Sequence, residues 1–153
     1  MREGTWHYEV VARCSVADAV SLLSEVERLG ELHPLITRVD RVPAVDGALR
    51  SYAVTDRLRW GPLRFRITYH ADVVSVSEHE VVTVARQRPR TSLRSTARVE
   101  PAADGRSVRL DVTVVLRAPS PLFGYAFRTG RAAHLDLAER LRGVLEGGRP
   151  ART

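Results

Sequence analysis

Apolar and polar side chains alternate from the start of the chain. Over residues 5–12, Trp6, Tyr8, Val10 and Ala12 share one face and His7 and Glu9 the other, which predicts a first strand. The period then lengthens. Ser15 stands before Val16, Ala19, Val20 and Leu23, with Asp18 placed as a capping carboxylate, so a short helix begins there. Val26, Leu29 and Leu32 predict a second short helix that ends before Pro34, since proline forces the residue before it out of helical geometry. His33 therefore falls at a helix exit.

From residue 35 to residue 117 the period is two again. Turn signals at Asp46-Gly47, Gly61-Pro62, Ser77-Glu78, Arg88-Pro89 and Asp104-Gly105 divide this stretch into six strands. In the strand at 63–75, Leu63, Phe65, Ile67, Tyr69, Ala71 and Val73 oppose Arg64, Arg66, Thr68, His70 and Asp72. In the strand at 107–117, Val108, Leu110, Val112, Val114 and Leu116 oppose Arg109, Asp111, Thr113 and Arg117. Such one-sided strands belong to an antiparallel sheet with one wet face. Ser120 and Pro121 then suit the cap and first position of a helix running to about Glu146 and stopping at Gly147-Gly148. About 26 residues at 1.5 Å each make roughly 39 Å, enough to cross a whole sheet.

The expected fold is therefore α+β: a curved seven-stranded antiparallel sheet wrapped around the long C-terminal helix, with two short helices after the first strand. Residues 1–146 are expected to form a single domain and 147–153 a flexible tail. The inward stripe of the last helix reads Leu122, Tyr125, Ala126, Thr129, Ala133, Leu137, Leu141 and Val144, with Gly130 beside it. Small residues in its middle permit either a void between helix and sheet or a tight contact.

Composition changes this picture little. At 153 residues, 44% hydrophobic and 27% charged, the chain is of ordinary globular make-up. It has no run long enough to span a bilayer. The N-terminal residues lack the pattern of a signal peptide and Cys14 is the only cysteine, so cytoplasmic residence is expected. A net charge of +6 raises a nucleic-acid reading. All 24 basic residues are arginine, however, in an Ala-, Val- and Gly-rich chain, which reads more as codon bias than as a selected surface. The densest run, Arg86, Arg88, Arg90, Arg94 and Arg98, has no aromatic residue between its arginines to stack bases. A nucleic-acid or protein-binding sheet face would need Arg64, Arg66, Arg94 and Arg98 to converge.

Without lysine there is neither a Schiff-base side chain nor a P-loop, and neither a nucleophile elbow nor zinc-site histidine spacing is present. No cofactor or metal is expected. The candidate chemistry is instead polar groups on inward faces. His33 either lines a cavity mouth or caps the second helix. Tyr52, Val54, Asp56 and Leu58 share a face assigned inward, which leaves Asp56 either paired structurally or free to anchor a ligand. Tyr69 would present a phenol. Arg86 continues the parity of Val82 and Val84, which would point it inward toward Asp56 or a ligand acid unless the strand bulges there. His134 sits beside Ala133 on the covered side of the last helix.

The element order, with Leu32-His33-Pro34-Leu35-Ile36 after the second helix, Thr55-Asp56-Arg57-Leu58 in a central strand and Ala133-His134 in the last helix, resembles the START/Bet v 1-like (SRPBCC) superfamily. The likeness is to its bacterial polyketide cyclase/dehydrase-like members and covers roughly residues 4–146. It implies a helix-grip fold with a deep cavity for a lipid, polyketide or other apolar metabolite, in members that are either enzymes or carriers. On this reading Phe65, Ile67 and Tyr69 on the sheet and Ala126, Thr129, Gly130 and Ala133 on the helix would hold the ligand. Tyr52, Asp56, Arg86, His33 or His134 would orient it. In the alternative, a cyclase or aromatase, His33, Tyr52, Asp56 and Tyr69 are the acid–base candidates.

Overall fold

The structure, a computed structural model, describes residues 1–147. The chain runs β1 (Arg2–Ala12), α1 (Val16–Ser24), α2 (Val26–Leu32), β2 (Ile36–Val42), β3 (Arg50–Trp60), β4 (Leu63–Val76), β5 (Glu80–Gln87), β6 (Thr91–Pro101), β7 (Val108–Ala118) and α3 (Ser120–Gly147). Gly147, expected to begin the tail, is still part of α3, and residues 148–153 lie outside the described residues.

Local chemistry sets the boundaries. Ser15 caps α1 by accepting the Asp18 N–H at 3.0 Å. His33 closes α2, its N–H donated to Leu29 O at 2.9 Å and its backbone extended as the following Pro34 requires. Gly47, Gly61 and Gly105 sit at the expected turns with positive φ, where a side chain would be strained.

All seven strands form one antiparallel sheet in the order β1-β7-β6-β5-β4-β3-β2. The sheet is curved and unclosed, with α3 against β1 and β7 on its concave face and the two short helices over the far end. Trp6, Tyr8, Leu110, Val112 and Val114 pack there with Leu22 of α1 and Leu137 and Leu141 of α3. A second cluster, Val26, Tyr52, Val54 and Val73, lies under α2.

Two sequence expectations need correction. Phe123 and Leu145, outside the expected stripe of α3, are buried, while Leu122 and Tyr125 are only half-buried. The reason is that α3 leans on β1: Phe123 stacks on Phe127 at 5.5 Å, and a Cβ at Gly4 would come within 2.6 Å of the Phe123 ring. Arg86 does share its face with Val82 and Val84, but that face is the convex one. Val82 and Val84 are buried there beside Ser51 and Asp72, and Val45 N–H reaches over the same face to Ser51 Oγ. Arg86 accordingly pairs with Asp72 at 3.1 Å rather than with Asp56.

Candidate functional site

Because α3 leans on one edge of the sheet, β3 to β6 curl away from its N-terminal half and leave a cavity of about 340 Å³. Its sheet wall includes Leu58, Phe65, Ile67 and Leu93, and its helix wall includes Ala126, Thr129, Gly130 and Ala133. Gly130 serves both uses that small residues permit. A Cβ there would meet the Trp6 ring at 3.0 Å, so Trp6 packs on the helix beside the void.

The β3–β4 turn, the β5–β6 turn and the first turns of α3 meet at one end of the sheet, where antiparallel registers bring them together. At this mouth Trp60 stacks on Tyr125, with ring centroids 4.5 Å apart and planes within 7°. Tyr125 donates its hydroxyl to Arg59 O at 2.9 Å. Gln87, Arg88, Pro89 and Thr91 form the opposite lip.

Four titratable side chains, Asp56, Tyr69, His33 and His134, line the interior. The register places Asp56 diagonally from Tyr69 across the β3–β4 ladder, which sets the phenol beside the carboxyl. Asp56 Oδ1 is buried without any partner. Burial lifts the carboxyl to about 6 against the opposing pull of the neighbouring Tyr69 hydroxyl, and burial together with Asp56 pushes Tyr69 well above the usual phenol range. His33 and His134 meet edge to face, 5.8 Å between centroids. His134 also touches the Trp6 ring edge-on at 5.4 Å, and its Nδ1 has no partner.

The Leu35 N–H donates to His33 Nδ1 at 3.2 Å, so the neutral ring carries its proton on Nε2. The His33 ring thus accepts from the backbone after its helix instead of donating to the helix carbonyls; Arg140 supplies a donor to Leu32 O at 2.9 Å. Burial, then the Arg140 charge, lowers His33 to about 4; burial, then His33, lowers His134 to about 3. At neutral pH the cavity holds two neutral imidazoles and a carboxyl that exchanges its proton near neutrality. Such a set can donate to, accept from and transfer a proton to a bound oxygen.

Of the sequence candidates, the fold brings His33, Asp56, Phe65, Ile67, Tyr69, Ala126, Thr129, Gly130, Ala133 and His134 to one cavity. Tyr52 is not among its walls. It faces inward but lies four residues along β3 from Asp56, roughly 13 Å on. There it is fully buried under α2, accepting from Arg41 Nη2 at 3.2 Å. Arg86 is outside as described. Arg64, Arg66, Arg94 and Arg98 do not converge, since Arg94 is level with Asp72, six residues or roughly 20 Å along β4 from Arg66. Sequence reasoning missed Leu35, Trp60, Ala85, Gln87, Arg88 and Tyr125 as walls. Ala85 and Gln87 were legible only by choosing the correct face of β5, and the turn residues carry no alternation to read.

A sheet gripping one long helix, with a cavity between them, defines the helix-grip class. The chain belongs to the family described as polyketide cyclase / dehydrase and lipid transport, whose sequence profile matches residues 5–147. This places it in the START/Bet v 1-like superfamily. Similar solved structures include the di-domain ARO/CYC StfQ from the steffimycin biosynthetic pathway, at TM-score 0.73 and 16% identity over 95% of this chain. This chain spans 51% of StfQ. A START superfamily protein from Mycobacterium smegmatis aligns with TM-score 0.71 and 14% identity over 94% of this chain and 97% of its own. Norcoclaurine synthase from Thalictrum flavum, in complex with a transition-state analogue, has TM-score 0.67 and 16% identity over 94% of each chain. No curated protein sequence matches.

Proposed function

We propose that the protein binds a small, largely apolar molecule in the cavity between β3–β6 and α3, with Asp56, Tyr69, His33 and His134 orienting its polar atoms. One observation carries this reading: an apolar cavity of about 340 Å³ in which Asp56 Oδ1 and His134 Nδ1 are buried with no protein partner. Leaving such atoms unsatisfied costs about 1–3 kcal/mol each, a cost that a ligand hydroxyl or carbonyl removes. The volume falls within the usual range for small-molecule sites.

A second reading, a cyclase or dehydratase, is favoured by the Asp56 carboxyl. With a pKa raised to about 6 and a neutral imidazole pair in the same cavity, it suits proton removal beside a carbonyl and proton return to a leaving hydroxyl. The family description covers both roles.

Native mass spectrometry of the purified protein, followed by solvent extraction, is the test. An apolar adduct at one per chain is expected in the wild type and absent in Thr129→Phe, which fills the cavity from the helix. An unchanged adduct in Thr129→Phe, with folding intact by circular dichroism, rejects this cavity as the site. Asp56→Asn then separates the readings: a carrier keeps most of its ligand, whereas an enzyme keeps ligand and loses product formation by 100-fold or more, about the scale of a lost acid–base group.

A further inference from the structure

The cavity continues into a basic depression at its lip. β5 pairs with β4 only from Arg86 opposite His70 onward, while β4 runs on to Leu63 paired on its β3 side alone. The gap between that unpaired edge and the β5–β6 turn is a depression lined by Thr68 and His70 from β4 and by Arg86, Arg88 and Arg90 from the other side. It shares Tyr69, Gln87 and Arg88 with the cavity, so the two spaces adjoin.

No Asp or Glu lines the depression. Arg86 is held by Asp72 at 3.1 Å, but among the described residues neither Arg88 nor Arg90 has an acidic partner. Arg90 moreover keeps φ at 40°, a left-handed conformation that Gly or Asn would adopt with less strain, at the very lip of the opening. Guanidinium forks without a carboxylate match the oxygens of a carboxylate or phosphate, and an exposed lip lets such a head keep part of its hydration.

We propose that this depression receives the oxyanion head of an amphipathic ligand whose apolar part lies in the cavity, with Arg88 and Arg90 as the recognising pair. The inference rests on the cavity being a binding site and adds the class of ligand: a carboxylate or phosphate on an apolar body.

Isothermal titration calorimetry of the full chain with decanoate, decyl phosphate and decanol at neutral pH tests it. At low ionic strength at least one anion is expected to bind about tenfold tighter than decanol, and added salt should narrow the difference. Whichever anion is preferred names the head. In the Arg88→Gln/Arg90→Asn double variant the anion-to-alcohol preference should fall to near unity. Equal binding of all three ligands by the wild type overturns the head site and leaves the cavity reading standing, as does a preference that survives in the double variant. Failure of all three to bind overturns both.

Discussion

At the scale of single residues, the cavity histidines and Asp56 oppose each other with pH. His33 and His134 titrate at 6.5 when unfolded and at about 4 and about 3 when folded. The unfolded chain therefore takes up their protons first, and their contribution is complete above pH 6.5 and lost as pH falls toward the folded values. Asp56 titrates at 3.8 unfolded and about 6 folded, so here the folded chain protonates first and gains stability as pH falls through about 6 toward 3.8. Two groups outweigh one. Net stability should fall between pH 6.5 and 4, by up to about 1.4 kcal/mol per pH unit for each net proton. Urea midpoints across this range should show a flatter profile for His134→Phe. Asp56→Asn should be more stable than wild type at pH 7 and lose stability more steeply below pH 6. A wild-type profile that rises on acidification would reject the assignment of neutral, buried imidazoles.

Residue identity was legible for Asp56 and Tyr69 because strand parity alone put them on the covered face. It was not enough for Tyr52, on that same face, because parity says nothing of which helix lies above a given point along a strand.

Single elements carry a cost of their own in the β3–β4 hairpin. Its register sets Arg57 opposite Arg66 and Arg59 opposite Arg64, all exposed on the convex face. Like charges directly opposite destabilise a ladder, whereas an opposite-charge pair contributes about 0.2–1 kcal/mol. Arg66→Glu should convert one repulsion into an attraction and raise stability by about 1 kcal/mol at low ionic strength, with the gain shrinking in high salt. Thermal melts at two salt concentrations check this; a salt-independent loss would show that the charges do not interact.

The helix α3 teaches a related lesson. Its start followed within a residue from a local signal, Ser120-Pro121, and it is helical through Gly147, the last described residue. Its buried stripe did not follow from such signals, because a helix with apolar residues on more than one flank can lean either way. Phe123 and Phe127 against Gly4 decided the direction.

Over the whole molecule, the contact at the cavity mouth joins parts 65 residues apart. Trp60 at the tip of the hairpin stacks on Tyr125 in the first turns of α3, and the Tyr125 hydroxyl is tied to Arg59 O. On the binding reading this pair slows ligand escape. Tyr125→Ala should speed release by about tenfold, and Tyr125→Phe, which keeps the stack but loses the hydrogen bond, by a smaller factor. Stopped-flow displacement of a bound fluorescent apolar probe gives both rates. Equal rates in all three proteins would show that ligand leaves by another route.

The pattern of residues by itself determined the element order, the strand count, the turns and the C-terminal helix, because each is written in a period of 2 or 3.6 and in caps and breakers that act within a few positions. It also determined part of the cavity wall, since an inward parity combined with small helix residues leaves few other places for those side chains. Only the tertiary structure decided which face of β5 is concave, where along β3 the void begins, and that the turn residues Arg88 and Arg90 stand at its mouth. Those outcomes depend on how far the sheet curls and which way α3 leans, and both are set by contacts between residues far apart in the chain, which no local period records.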